Sequence, residues 1–295
     1  MSVDPGRYAT PVRRSGGDAE QQPVIVRCAR RALAPDPLPL RVLLLHGLCS
    51  NAGVWDPFLP LADPRCELWT ADLPWRGTGV HGWTGLPVET WADQAVAAVP
   101  GGPDVVIAHS FGTSAALTWL DRWSTGGADT RGPSAVVLVS PLYRATAEEF
   151  DWNSLAYYVN NFDRILIEGM HMGPSRRLPE ERRHTIAMKI RDLVSPYGWF
   201  QFFGTYLRMP QMRTERMTMP FLLVSGGEDM VAAPSDAEGL AKSLPDASVH
   251  VLPCHGHFPM VTAAEEFADL TNTFLRTRLP GPPSGSPHLT MEHNR

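Results

Sequence analysis

Residues 105–114 read Val-Val-Ile-Ala-His-Ser-Phe-Gly-Thr-Ser, an apolar β-branched run that ends at a serine followed by small, helix-compatible residues. This order predicts a nucleophile elbow, a tight strand-to-helix turn in which Ser110 has a strained backbone and a projecting hydroxyl. Only small residues fit two positions before and after the serine, and Ala108 and Gly112 meet that condition. The alternative is an ordinary junction in which Ser110 is a helix N-cap. Other motifs must decide between the two interpretations.

The composition predicts a globular protein with a sizeable core. The chain has 295 residues, of which 43% are hydrophobic, and a formal net charge of −5. Basic residues do not cluster densely, so no nucleic-acid partner is expected. No signal peptide and no membrane-spanning segment are apparent, which predicts a cytoplasmic protein without a membrane partner.

The cysteines carry no sign of a metal site or a disulfide framework. They lie at Cys28, Cys49, Cys66 and Cys254, without the spacing that metal ligands need. Reduced thiols are therefore expected, and the sequence suggests neither a metal nor a cofactor.

Short apolar runs alternate with longer helical patterns. Runs that are apolar at consecutive positions are typical of strands buried on both faces of a parallel sheet. They occupy residues 42–45, 67–71, 105–108, 135–139, 221–224 and 249–252, and helices are predicted over 51–61, 88–99, 110–123, 234–244 and 260–275. The predicted fold class is α/β, with a mostly parallel central sheet and helices on both faces.

The alternation of strands and helices is interrupted over residues 143–218, which are rich in aromatic residues and methionine. A connection of this length needs structure of its own, so we predict a helical lid inserted into the core. The core itself is expected over residues 23–142 and 219–279, between flexible tails at 1–22 and 280–295. Most lid aromatics should form the lid's own core, and those facing the cleft would favour an apolar substrate.

A second motif, Leu45-His46-Gly47-Leu48-Cys49, follows the first strongly apolar run. Gly47 allows a sharp bend at this strand end. The backbone amides of Leu48 and Phe111 are then expected to converge as an oxyanion hole. The alternative is a plain turn in which His46 is a packed histidine.

Two further motifs supply a candidate acid and a candidate base. An acidic motif, Ser225-Gly226-Gly227-Glu228-Asp229, follows a predicted strand. We predict that Asp229 is the acid that orients the histidine, with Glu228 as the alternative. Pro253-Cys254-His255-Gly256-His257-Phe258-Pro259 lies between the last strand and the last helix. His257 is favoured over His255 because Gly256 frees the backbone before it and Pro259 begins the helix after it. A loop histidine held by an acid can accept the proton of a serine hydroxyl.

The order Ser110, Asp229, His257 is that of the triad in α/β-hydrolases. With His46-Gly47, the segment 72–79, Ala108 to Gly112, Gly227-Glu228-Asp229 and Gly256-His257, residues 24–278 resemble a lidded, single-domain bacterial serine hydrolase of that superfamily. Two departures are Ala108, where the first glycine of G-x-S-x-G is usual, and Trp75, where glycine is frequent. The bulk of Trp75 is expected to narrow the cleft.

The resemblance implies hydrolysis of a carboxylic ester or thioester through an acyl-enzyme on Ser110. An acyltransferase or cyclase, a carrier-protein thioesterase and a non-catalytic binding protein are the alternatives. The partner is then a small acyl substrate, free or carrier-bound, and the protein is a monomer or homodimer. Substrate contacts are expected from five side chains, those of Trp75, His109, Trp199, Phe203 and Met230.

Overall fold

The structure is a computed structural model that describes residues 24–33, 39–75, 83–126, 131–172 and 177–280. The predicted tails therefore lie outside the described residues, apart from Pro280, and so does much of the 72–79 motif. Seven strands form one sheet in the order β1-β3-β2-β4-β5-β6-β7. They are β1 Ile25–Arg30, β2 Leu40–Leu45, β3 Cys66–Asp72, β4 Val105–His109, β5 Ala135–Val139, β6 Phe221–Gly226 and β7 Ala247–Leu252.

Seven α-helices are described. They are α1 Val88–Ala98, α2 Phe111–Ser124, α3 Trp152–Met172, α4 Glu180–Tyr206, α5 Pro234–Ser243, α6 Pro259–Thr262 and α7 Ala264–Arg278. Short 3-10 helices cover Ala52–Trp55, Trp83–Gly85, Ala147–Glu149, Met209–Gln211 and Thr214–Arg216. None of the helices in the described ranges is long and apolar enough to span a membrane.

The predicted α/β class is confirmed, because β2 to β7 pair in parallel and β4, β5 and β6 are buried along their whole length. The strand β1 was missed. It pairs antiparallel with β3 at the edge of the sheet, and its residues alternate between exposed and half-buried. An edge strand of this kind lacks the continuous apolar run by which the other strands were found.

Two helix predictions were wrong in extent. Only Ala52–Trp55 of the predicted helix 51–61 is helical, as a 3-10 turn; Pro57 and Pro60, which lack the amide hydrogens that a longer helix needs, follow it. The predicted helix 260–275 is divided at Ala263, whose φ of −131° and ψ of 45° are not helical.

The segment between β5 and β6, here called the insertion (residues 143–218), contains α3 and α4. Helix α4 is broken at Ser195, where φ is 60°, and Pro196 follows. Proline disfavours a helical conformation in the residue before it, which explains why the break falls at Ser195. The loops after β2, β4, β6 and β7 all lie at the carboxyl edge of the parallel sheet, where open α/β sheets place their ligand sites.

Candidate active site

Ser110 occupies a strained turn between β4 and α2. Its φ of 53° and ψ of −125° lie in a region that non-glycine residues rarely adopt. A Cβ at Gly112 would lie 2.7 Å from the carbonyl oxygen of His46 and 2.9 Å from that of Leu45. Because these neighbours are backbone atoms, only glycine fits there. Ser110 stands at the N-cap position, but its side chain makes no capping hydrogen bond.

The hydroxyl of Ser110 instead faces His257, whose Nε2 lies 2.8 Å from Ser110 Oγ. On the other side of the ring, His257 Nδ1 lies 2.8 Å from Asp229 Oδ2. Oδ1 of Asp229 accepts the backbone N–H groups of Val231 and Ala232 at 2.9 and 3.0 Å. The carboxylate is thus held in place, and it leaves Nδ1 as the donor and Nε2 as the acceptor for the serine proton.

The electrostatics of this cluster stabilise the Asp229 carboxylate and the imidazolium that forms when His257 accepts a proton. Burial opposes both charges, but mutual attraction and hydrogen bonding lower the pKa of Asp229 and raise the pKa of His257. His109, the residue before the serine, is fully buried, which lowers its pKa to about 3 and keeps its ring neutral. Its Nε2–H donates to the carbonyl oxygen of His257 at 2.8 Å.

The backbone beside Ser110 is oriented by side chains. The carbonyl oxygen of Gly47 accepts hydrogen bonds from His46 Nδ1 at 2.9 Å and from Trp75 Nε1 at 3.2 Å. Nε2 of His46 accepts the N–H of Leu73, which assigns the ring proton to Nδ1. In a trans peptide the C=O and the following N–H point in opposite directions. The N–H of Leu48 is therefore directed away from the Trp75 and His46 side chains.

A cavity of about 580 Å³ opens onto Ser110 and His257. The first wall belongs to the core and includes Leu48, Val54, Leu142 and Phe258. The facing wall comes from the insertion. Its apolar members are Phe162, Ile165, Leu166, Met170, Ile190, Trp199 and Phe202. Ser50, Asn51 and Asp56 add polar groups at one part of the lining.

Two of the five side chains predicted to contact substrate, His109 and Trp199, line this cavity. Trp75 does not. It is fully buried beneath the site, with its ring centroid 5.1 Å from that of Phe111. The expectation that Trp75 narrows the cleft is therefore corrected, because its indole orients the Gly47 peptide instead.

Phe203 and Met230 also lie outside the cavity lining. Phe203 is buried within the insertion, stacked on Trp199 at 5.7 Å between ring centroids. Substrate contact is therefore proposed for neither. The order of residues along a helix did not reveal which aromatic faces the cleft, because both faces of α4 are rich in aromatics.

Sequence reasoning missed two groups at the site. Ser140, with φ of 49°, follows β5, and its Oγ donates to the carbonyl oxygen of His257 at 3.2 Å. A serine directly after a buried strand was the available signal. Glu168 on α3 accepts the backbone N–H of His257 at 2.8 Å. Nothing in the local sequence marks this glutamate, since one carboxylate on an amphipathic helix is ordinarily solvated.

Within the described ranges, no cluster of three or more histidine, cysteine or acidic side chains has the geometry of a metal site. All four cysteines are free. Cys49 lines the cavity, and burial raises the pKa of its thiol to about 12. The thiol therefore stays protonated and is a poor nucleophile.

Comparison with known proteins agrees with this architecture. Residues 42–270 match the model of the Alpha/beta hydrolase family. The chain belongs to that family, and its membership supports hydrolase activity.

Three similar proteins are by name an esterase, a putative lipase and an enol-lactonase. The chain is 24% identical to a pimeloyl-(acyl-carrier protein) methyl ester esterase of Vibrio vulnificus (strain YJ016), over 249 residues that cover 77% of this chain and 90% of the relative. A putative lipase from Acinetobacter baumannii AYE superposes with a TM-score of 0.62 at 18% identity, covering 82% of this chain and 85% of the other. An enol-lactonase from Burkholderia xenovorans LB400 gives 0.57 at 15% identity, with coverages of 85% and 96%. At these identities the structural likeness establishes the fold.

Proposed function

We propose that this protein is a serine hydrolase that cleaves a carboxylic ester or thioester of a medium-sized, largely apolar substrate. The observation that carries the proposal is the hydrogen-bonded chain from Ser110 through His257 to Asp229, with 2.8 Å at each step, at the floor of an apolar cavity. This is the geometry in which a base activates a serine hydroxyl. Family membership and one relative named as an esterase support the same class of reaction.

In the first half of the reaction, Ser110 Oγ attacks the carbonyl carbon while its proton passes to His257 Nε2. Asp229 accepts the hydrogen bond of Nδ1–H and stabilises the imidazolium that results. The tetrahedral intermediate collapses when its bond to the leaving oxygen or sulfur breaks. The imidazolium returns its proton to that leaving group, and the acyl group remains on Ser110.

In the second half, a water molecule gives a proton to His257 and attacks the acyl carbon. The carboxylic acid leaves and the proton returns to Ser110. We assign the oxyanion hole to the backbone N–H groups of Leu48 and Phe111. Two features support this assignment: Gly47 packs against the elbow, and Phe111 opens the helix α2, whose N-terminal amides favour negative charge.

The cavity defines the class of acyl group. Its volume of about 580 Å³ suits a medium-sized group, and the wall supplied by the insertion is aliphatic and aromatic. We assign the insertion the role of a lid because α3 and α4 close one side of the cleft. Of the side chains that sequence reasoning selected for substrate contact, His109 and Trp199 are retained.

A second candidate is an acyl group delivered on a carrier protein. The observation favouring it is the similarity to an esterase whose name specifies an acyl-carrier-protein substrate. Comparing hydrolysis of the same methyl ester on a free dicarboxylic acyl chain and on one attached to pantetheine distinguishes the two, because the name of the relative specifies a methyl ester. A kcat/KM at least tenfold higher for the pantetheine-linked methyl ester favours the carrier-bound substrate.

The proposal is tested with p-nitrophenyl esters of increasing acyl length. We expect turnover that Ser110→Ala abolishes while the protein stays folded, because the nucleophile is lost. In Ile165→Trp, which fills part of the cavity wall, the preference should shift to shorter acyl chains. Phe200→Ala is the matched control, since Phe200 is 77% exposed and lies outside the lining. Undiminished turnover by Ser110→Ala would refute the proposal.

A further inference from the structure

The backbone of His257 is held from both sides of the cleft. Its carbonyl oxygen accepts hydrogen bonds from His109 Nε2 at 2.8 Å and Ser140 Oγ at 3.2 Å, and both donors belong to the core. Its N–H donates to Oε1 of Glu168 at 2.8 Å. Glu168 lies on α3, so the insertion supplies one of the contacts that set the position of the imidazole.

The loop after β7 is shaped to receive this carboxylate. A Cβ at Gly256 would lie 2.4 Å from Glu168 Oε1 and 2.8 Å from its Cδ, so the absence of a side chain permits the approach. The next residue of α3 is also a glycine. A Cβ at Gly169 would lie 3.3 Å from Cζ of Phe258, which places α3 directly against the histidine loop.

The contact also brings Glu168 close to the charged groups of the site. Burial raises the pKa of Glu168, whereas the His257 imidazole and the backbone amides of the loop lower it. Burial alone would lower the pKa of His257, but Asp229 and Glu168 together raise it. The titratable groups around the imidazole are thus Asp229 after β6, Glu168 on α3, and His109 at the end of β4, which is neutral.

We propose that Glu168 is a positioning residue through which the insertion sets the competence of His257 as the base. The inference rests on the proposed function. Glu168 fixes the histidine loop through a backbone N–H and adds a second negative charge beside the imidazolium that forms when Ser110 attacks. Both effects depend on the packing of α3 against the histidine loop.

Two substitutions separate the two effects. Glu168→Ala removes both the acceptor and the charge, and we expect kcat for p-nitrophenyl butyrate to fall about tenfold to a hundredfold with little change in KM. Glu168→Gln keeps an oxygen acceptor for the His257 N–H but removes the charge. It should restore most of kcat at high pH and move the acid limb of kcat/KM to lower pH, because His257 loses a stabilising anion.

The control is Glu181→Gln, which removes an exposed carboxylate elsewhere on the insertion and should leave both parameters unchanged. A wild-type kcat in a folded Glu168→Ala protein would overturn the inference. An unshifted acid limb in Glu168→Gln would also overturn it, and this result decides the matter if the alanine variant does not fold. If Ser110→Ala is inactive while both Glu168 variants match the wild type, this inference alone fails. If Ser110→Ala retains turnover, the proposed function fails and this inference falls with it.

Discussion

Nε2 of His257 lies 2.8 Å from Oγ of Ser110, although 147 positions separate the two residues in the chain. Ser110 follows β4, His257 follows the edge strand β7, and β5 and β6 lie between those strands in the sheet. The histidine loop therefore crosses the carboxyl ends of two strands to reach the serine. Its backbone rests on His109 and Ser140 as it does so.

Asp229 is expected to act by holding the imidazole. In Asp229→Asn the side chain can present its amide to Nδ1, which stabilises the wrong tautomer and no longer balances the imidazolium. We expect kcat to fall by about 10⁴-fold, the size seen when a triad aspartate is replaced by asparagine. Glu228→Gln is the matched control, because Glu228 is exposed, and it should retain activity. A larger loss of kcat in Glu228→Gln than in Asp229→Asn would instead assign the role of holding the imidazole to Glu228.

The activity should depend on the neutral form of His257. Its pKa is raised above the ordinary 6.5 because Asp229 and Glu168 stabilise the imidazolium, so kcat/KM should rise with pH through a midpoint above 6.5. His255→Gln should leave this profile unchanged, because His255 Nδ1 contacts Thr262 Oγ1 rather than the triad. A kcat/KM that stays constant from below pH 6.5 upward would contradict the assignment of His257 as the base.

The elbow should not tolerate a side chain at Gly112. A Cβ there meets the carbonyl oxygens of His46 and Leu45 at 2.7 and 2.9 Å, and these backbone atoms cannot yield without moving β2. We expect Gly112→Ala to lower the free energy of unfolding by about 1–3 kcal/mol and to reduce activity. Gly85→Ala is the control, since no atom of the described residues lies within 4 Å of a Cβ placed there. Urea denaturation measures both, and equal stability of the two variants would contradict this account.

A partly buried ion pair anchors the start of the insertion to the core. Arg144 donates to Asp236, whose side chain is fully buried and whose pKa burial raises to about 6 despite the attraction of Arg144. Arg144→Met leaves this carboxylate without its partner and should destabilise the fold by about 3 kcal/mol. Arg122→Met breaks the surface pair with Asp93 and should cost less than about 1 kcal/mol. Thermal or urea unfolding compares them, and similar losses would contradict the structural role of Arg144.

The buried parts of the fold were predictable because their signals are local. Strands β2 and β4 to β6 are apolar at consecutive positions, and each motif at their ends combines a strand with small residues. The strand β1 was not predictable in this way, because an edge strand with one solvated side shows no continuous apolar run. In the segment 51–61 apolar residues recur at helical spacing, but the prolines at 57 and 60 prevent a helix longer than Ala52–Trp55.

The candidate site likewise contains residues that the sequence predicts and residues that it does not. Ser110, Asp229 and His257 follow strands, so their convergence was predicted from topology. The contributions of Glu168 and Trp75 were not, because they depend on how α3 and the segment after β3 pack in three dimensions. Glu168 contacts a backbone amide 89 positions away, a relationship that no local pattern encodes.

The central claim is that His257 activates Ser110 as the nucleophile, and covalent labelling with a fluorophosphonate tests it most directly. Mass spectrometry of the digested protein should find one adduct, on the peptide containing Ser110, that is absent from Ser110→Ala. The labelling rate should fall at least about a hundredfold in His257→Ala, because proton transfer to the base is lost. An adduct on another residue, or a labelling rate that His257→Ala leaves unchanged, would contradict the account.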